Sequence, residues 1–426
     1  MGDIPAKEKL EGLLAKPCCL CIGAGVTRKF VGGWKELLGV MLGKRFVSDW
    51  LDNEGPYSEV SKYDGAEFFS EFFCEEGFLE LGEFLLSDNK AAAPAEYDDK
   101  RKAWQEKVFS QQVADIIHDR IGASLGRRCD CSACPVKSEC PLRSSGAHSL
   151  KDVYASYRLF RERVLGPKDK GGACLAVRDF GTAMSVVDIC ASGRIRNVIN
   201  YNFDTVVEEA LYEAISARAV ESDIDEIHIW TYGTPREPRT VLSSPSCSVI
   251  LHQGNWDGDI AYLSSKRAVH FFHLHGVAAG SELVDVSGQL IFSQHSYTTF
   301  QECMFNWSNV VMEYLLSRFS VIAVGFSGTD PNFRLSVTNH LRSTMEGLSA
   351  YESVPREEVL FVKAVEPYRG AIEKRIPDGS PEIVTAFLEY CKGMVSDYYL
   401  GYISVSTQWV DGYVDVSDAL SGVSGL

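Results

Sequence analysis

Short apolar runs of strand length alternate with stretches of helical periodicity, and that alternation limits the possible folds more than any other feature of this chain. Cys18 to Ile22 is the first run. Asn197 to Tyr201, Glu226 to Trp230, Ser248 to His252, Val269 to Leu274, Gln289 to Phe292, Ser320 to Val324 and Val359 to Val362 follow. Helical spacing lies between several of them, as in Phe305 to Arg318. Parallel strands need a crossover, usually a helix, so this order predicts an α/β fold with a mostly parallel sheet flanked by helices.

The first two strands are far apart in sequence. The stretches Trp34 to Phe46, Ala66 to Phe73, Phe78 to Leu86, Trp104 to Leu125, Val153 to Val164 and Leu175 to Ser192 all carry helical spacing. Polar or glycine-rich loops interrupt them at Ser87 to Lys100 and Gly166 to Gly172. A large helical insertion after the first strand is the expectation. The boundaries that follow are a core over 1–44 and 190–340, an insertion over 45–189, and a C-terminal extension over 341–426 that completes or flanks the core.

A formal net charge of −16 disfavours duplex binding, which relies on Lys and Arg neutralising phosphates. No direct nucleic-acid contact is expected. The N-terminal segment lacks a signal peptide's order of regions, and no apolar run reaches membrane-spanning length. The thirteen cysteines include several in strand-like runs such as Cys18, Cys19 and Cys21, which suits buried free thiols in a reducing compartment. The expected location is the cytoplasm, with no membrane association.

Three strand ends carry chemistry. Gly23-Ala24-Gly25-Val26-Thr27 joins the first strand to a helix, where glycines permit backbone approach to a pyrophosphate and helix amides face its charge. The third glycine of the dinucleotide fingerprint is missing, so a tight strand-to-helix turn reads equally well. Tyr201-Asn202-Phe203-Asp204 ends the second strand, and His273-Leu274-His275-Gly276 ends a later one. In open α/β sheets such ends line the ligand crevice. A histidine of near-neutral pKa can take a proton from a ribose hydroxyl or a water, an asparagine amide can fix either, and a carboxylate can orient both. Taken singly, duller roles come first: Asp204 as a helix cap, Asn202 in a turn, His273 as a hydrogen-bonded core histidine. The ordered set outweighs them.

Together with Gly325-Phe-Ser-Gly-Thr-Asp330, Trp34-Lys-Glu-Leu-Leu38 and Leu290-Ile-Phe-Ser-Gln-His-Ser-Tyr297, these segments resemble the sirtuin-like family. They are closest to its bacterial branch of defence-associated NAD hydrolases. The resemblance implies a Rossmann-like fold that takes NAD as substrate. Asn202 and His275 would be the catalytic pair, with Asp204 supporting the ribose. Gly23, Ala24, Gly25 and Thr27 would line the phosphates, with Val26, Trp34 and Tyr201 beside them. Gly325, Ser327 and Asp330 would form the later nucleotide-contacting turn.

The departures bear on the reaction. Arg28 to Trp34 replaces the glycine-isoleucine-proline-aspartate-phenylalanine stretch of protein-deacylating sirtuins, and only Cys303 lies between His275 and Gly325, where those proteins carry a zinc module. Without an acyl-lysine groove, water becomes the acceptor. NAD hydrolysis in antiviral defence is thus the leading expectation, controlled by homo-oligomerisation or by a partner such as a ring-forming ATPase. An NAD-dependent lysine deacylase and a silent NAD- or ADP-ribose-binding sensor are the alternatives. Separately, Cys129, Cys131, Cys134 and Cys140 fall within twelve residues. They suit a structural zinc or free thiols equally, with an iron–sulfur cluster as a third option.

Overall fold

The structure is a computed structural model that describes residues 12–13, 16–32, 113–128, 139–143, 148–163, 175–232, 236–254, 267–278, 290, 307–326, 328, 330–346, 359–377, 379–403, 406–412, 415–417 and 420. Among them, nine strands form one sheet: β1 (Cys18–Ile22), β2 (Asn197–Asn200), β3 (Glu226–Thr231), β4 (Arg236–Ser243), β5 (Ser248–Gln253), β6 (Ala268–His273), β7 (Ser320–Val324), β8 (Val359–Ala364) and β9 (Ser406–Val410). Their spatial order is β4-β5-β3-β6-β2-β1-β7-β8-β9. Every neighbouring pair is parallel except β4–β5, so the fold is the mostly parallel α/β arrangement the alternation predicts.

The helices are α1 (Ala24–Val31), α2 (Leu150–Arg163), α3 (Leu175–Arg178), α4 (Gly181–Ala191), α5 (Val206–Ser216), α6 (Trp307–Arg318), α7 (Pro331–Glu346), α8 (Glu366–Arg375) and α9 (Pro381–Ile403). Residues 113–125 are also helical. Two apolar cores sandwich the sheet, and β1 divides its side chains between them. Cys18, Leu20 and Ile22 join one core, with residues of 113–117, α1, α2, α4 and α5. Cys19 and Cys21 join the other, with residues of α6, α7 and α9. Side chains alternate across a strand, and both faces here are covered, which is why β1 reads as an unbroken apolar run.

Two edge strands were not visible in the apolar pattern. β4 carries Glu237, Pro238, Arg239 and Thr240, all exposed, on an antiparallel edge. β9, at the other edge, is half-buried throughout. Polar residues and proline at an edge prevent further pairing and erase the periodicity that marks an inner strand. The single helix expected over Leu175 to Ser192 breaks at Asp179–Phe180 into α3 and α4. The segments 34–46, 66–73 and 78–86 lie outside the described residues, as does most of Gln289 to Phe292. No helix among the described residues is long and apolar enough to cross a membrane.

Candidate functional site

The four central strands, β6, β2, β1 and β7, end in register. Asn200 pairs with His273 on one side and Ile22 on the other, and Ile22 pairs with Val324. The ladder continues one step beyond the strands. Leu274 N donates to Asn200 O at 3.2 Å, Tyr201 N to Ile22 O at 3.0 Å, and Gly23 N to Val324 O at 3.2 Å. The expected strand ends, Gly23, Tyr201–Asn202, Leu274–His275 and Gly325, therefore lie side by side. The helices that follow β1 and β7 pack on opposite faces, since α1 contributes Val26 and Phe30 to one core and α7 contributes Phe333 and Val337 to the other. The topological switch point, where ligands bind in open sheets of this kind, is therefore between the ends of β1 and β7.

Asn202 is 3% exposed, and its amide is oriented by proton count. Thr27 Oγ1 donates to Asp204 Oδ2 at 2.8 Å, so that hydroxyl has only lone pairs left, and Asn202 Nδ2 donates to it at 3.3 Å. Asn202 Oδ1 then faces away, buried, and meets no hydrogen-bond donor among the described residues. Asp204 also accepts from Val206 N at 3.2 Å, two residues on. The N-cap of α5 is Thr205 and carries no side-chain cap bond, so Asp204 makes a turn ahead of the helix and is not its expected cap. Burial pushes the Asp204 carboxyl up to about 6; the Thr27 bond opposes the shift, and the nearby Glu208 charge adds to it.

His275 is likewise buried, with Nε2 3.3 Å from Asp330 Oδ2. Burial lowers its pKa below the ordinary 6.5, while the Asp330 charge pulls the other way. Tyr201 meets the imidazole edge-on at a centroid separation of 5.0 Å and packs on Phe326 at 4.6 Å. Gly276, directly after His275, has φ of 89°, a left-handed turn that suits glycine. Asp330, expected at the nucleotide turn, thus sits against the proposed base as well as capping Phe333 N at 2.8 Å.

The glycine turn makes a tighter contact within the protein than phosphate binding requires. Gly25 N donates to Gly325 O at 2.8 Å, and a Cβ on Gly25 would stand 2.7 Å from Gly325 Cα. A Cβ on Gly23 would stand 2.9 Å from Gly325 O. The two glycine turns pack backbone to backbone, so glycine is required here on packing grounds alone. Ala24 opens α1 half-buried, and Val26 is buried beneath Gly325. Two cations that the sequence reading did not single out brace the later turn. Arg334 Nε donates to Gly328 O at 2.9 Å, and buried Lys363 reaches Phe326 O at 3.5 Å, its pKa lowered by burial to about 8. Both lie outside the recognised motifs, and only the fold brings them here.

Trp34, Ser327, Cys129, Cys131 and Cys134 lie outside the described residues. Cys140 is buried away from the strand ends, its thiol 3.6 Å from Ser156 Oγ. No group of His, Cys, Asp or Glu among the described residues is arranged to hold a metal, so the zinc expectation gains no support. Cys18, Cys19 and Cys21 are buried and outside any disulfide, as expected of them, and Cys190 and Cys247 are buried likewise. No curated protein matches the chain. The SIR2-like domain family matches residues 196–371, a span that holds Asn202, Asp204, His275 and the turn at Gly325 and supports a sirtuin-like family with NAD-related activity.

Proposed function

We propose that this protein is a cytoplasmic NAD glycohydrolase, which cleaves the nicotinamide–ribose bond with water to give nicotinamide, ADP-ribose and a proton. The observation that carries the reading is Asn202 Oδ1, a buried acceptor with no donor among the described residues, at the strand end next to the one that bears His275. An orphaned buried acceptor costs roughly 1–3 kcal/mol, and a ribose hydroxyl would supply the missing donor. The residues fit the substrate: Asn202 fixes the ribose, and Thr27 and Asp204 hold its amide by the other end.

Departure of nicotinamide develops positive charge on the ribose. His275, kept neutral at pH 7 by burial, accepts the proton of a ribose hydroxyl or of the attacking water. Asp330 stabilises the imidazolium that results. The absence of the deacylase segments from the sequence favours water over acyl-lysine as acceptor. As in the bacterial branch it resembles, such an enzyme would deplete NAD during antiviral defence. It would then need restraint, through self-assembly or a ring-forming ATPase. Purified protein incubated with NAD, alone and with an acyl-lysine peptide, tests the reaction. Nicotinamide and ADP-ribose should appear in equal amounts without acceleration by the peptide. Asn202→Ala and His275→Ala should each slow turnover about 10²- to 10⁴-fold. Unchanged turnover in both variants would refute the site.

A further inference from the structure

Both main-chain polar groups of Asn202 are held by side chains. Its N–H donates to Asn200 Oδ1 at 2.9 Å, and its carbonyl accepts from His273 Nδ1 at 3.0 Å. Those two side chains meet on a single oxygen: Glu208 Oε1 lies 2.9 Å from Asn200 Nδ2 and 2.8 Å from His273 Nε2. Asn200 ends β2, His273 ends β6 and Glu208 stands in the first turn of α5, and none is more than 1% exposed. A closed ring of hydrogen bonds thus runs from the Asn202 backbone through Asn200, Glu208 and His273 and back.

Proton count fixes how the ring works. A carbonyl only accepts, so His273 Nδ1 carries hydrogen. The contact between Nε2 and Oε1 needs one proton more, whether imidazole or carboxyl owns it. In either case the pair is neutral as a whole, which is how two titratable side chains can be wholly buried side by side. Apolar residues of similar volume often replace such a pair without loss of stability. What apolar residues cannot provide is one directed bond to each backbone group of a single asparagine.

We propose that Asn200, Glu208 and His273 are positioning residues that aim the Asn202 amide at the ribose, acting through its backbone and touching no part of NAD. The inference rests on Asn202 being the catalytic amide proposed above. A misplacement of ~1 Å costs about 10²-fold in rate, so the effect belongs in kcat. Glu208→Gln cannot accept from Asn200 and also satisfy His273 as the acid does. His273→Leu removes both bonds, whereas His273→Asn keeps a donor near the position of Nδ1.

The test compares these three variants with wild type by kcat, KM, melting temperature and hydrogen exchange of the peptide 197–209. Glu208→Gln and His273→Leu should lose roughly 30- to 100-fold in kcat with KM within about threefold. Exchange in that peptide should rise in both. Melting temperature should fall more in His273→Leu, which leaves Glu208 buried without its partner, than in Glu208→Gln, and His273→Asn should recover most of kcat and exchange. If Asn202→Ala is inactive but Glu208→Gln and His273→Leu keep wild-type kcat and exchange, the ring has no positioning role and this proposal alone falls. If Asn202→Ala keeps full turnover, the reading of the site falls and takes this one with it. Exchange decides on its own if wild type turns over no NAD, and an unchanged peptide then overturns the proposal.

Discussion

His275 and Asp330 together set where NAD turnover should begin to fail in acid. Burial holds the imidazole below its ordinary 6.5 and the Asp330 charge raises it, so the acid limb of kcat/KM should lie below pH 6.5. Asp330→Asn should move that limb lower still, since removing the carboxylate charge removes the opposing pull; a pH–rate profile that shifts upward, or not at all, contradicts the pairing. Asp204 has the opposite sign. Its folded value, about 6, exceeds an ordinary 3.8, so the stability it contributes is complete below about pH 4 and is lost as pH rises through 6. The loss amounts to about 3 kcal/mol. Melting temperatures of wild type and Asp204→Asn, taken from pH 4 to 7, should show the wild-type advantage shrinking with pH and then levelling. A constant difference would mean that the carboxyl titrates normally.

At the scale of elements, the β1–α1 and β7–α7 turns meet backbone to backbone at the switch point of the sheet. Gly325 has φ of 61°, and a Cβ there would stand 2.5 Å from Val26 N. Backbone on both sides leaves no flexible neighbour to yield. Gly25→Ala should therefore cost about 1–3 kcal/mol, read as a lower denaturation midpoint. Gly122, in the helical residues 113–125, meets nothing within 4 Å, and Gly122→Ala should stabilise by about 0.5–1 kcal/mol through helix propensity. Equal effects of the two substitutions would remove the packing argument for the glycine turn. The same elements show what the sequence could convey. β1 and β7 are legible because both faces are buried, whereas β4 and β9 meet solvent at the edges and carry no comparable pattern.

At the scale of the whole molecule, most of the exposed large apolar side chains among the described residues lie on α9, which also packs into the core. Val384, Leu388 and Tyr399 are buried, while Ile383, Phe387, Tyr390, Met394 and Tyr398, spaced three or four residues apart, are between 44% and 67% exposed. Helical geometry puts these five in one stripe, roughly 600 Å² of side chain and near the ~800 Å² per partner of a standard interface. Gly393 lies within the same helix, and a Cβ there would meet nothing, so a second helix can approach closely. The self-assembly proposed above would have a location if this stripe met the same stripe of a second copy. Sedimentation velocity should find wild type as a dimer or larger and Phe387→Glu/Tyr390→Glu as a monomer with its melting temperature kept. An unchanged sedimentation coefficient in the double variant would exclude the stripe.

The alternation of strand and helix, the glycine turn and the polar residues at three strand ends were legible in the sequence because each depends on local periodicity or on a short motif. From them came the parallel α/β fold and the set Asn202, Asp204 and His275. The ring around Asn202 was not legible in full. Glu208 reads as an ordinary helical glutamate and His273 as a core histidine, and its two bonds fit that description until their partners are known. Nor did any spacing reveal that Asp330 would meet His275, that Thr27 would bridge Asn202 and Asp204 across more than 170 positions, or that Lys363 would reach the turn at Phe326. Those contacts depend on which strands become neighbours. Strand order is fixed by burial of both faces of the sheet at once, a property of the assembled molecule and of no single segment.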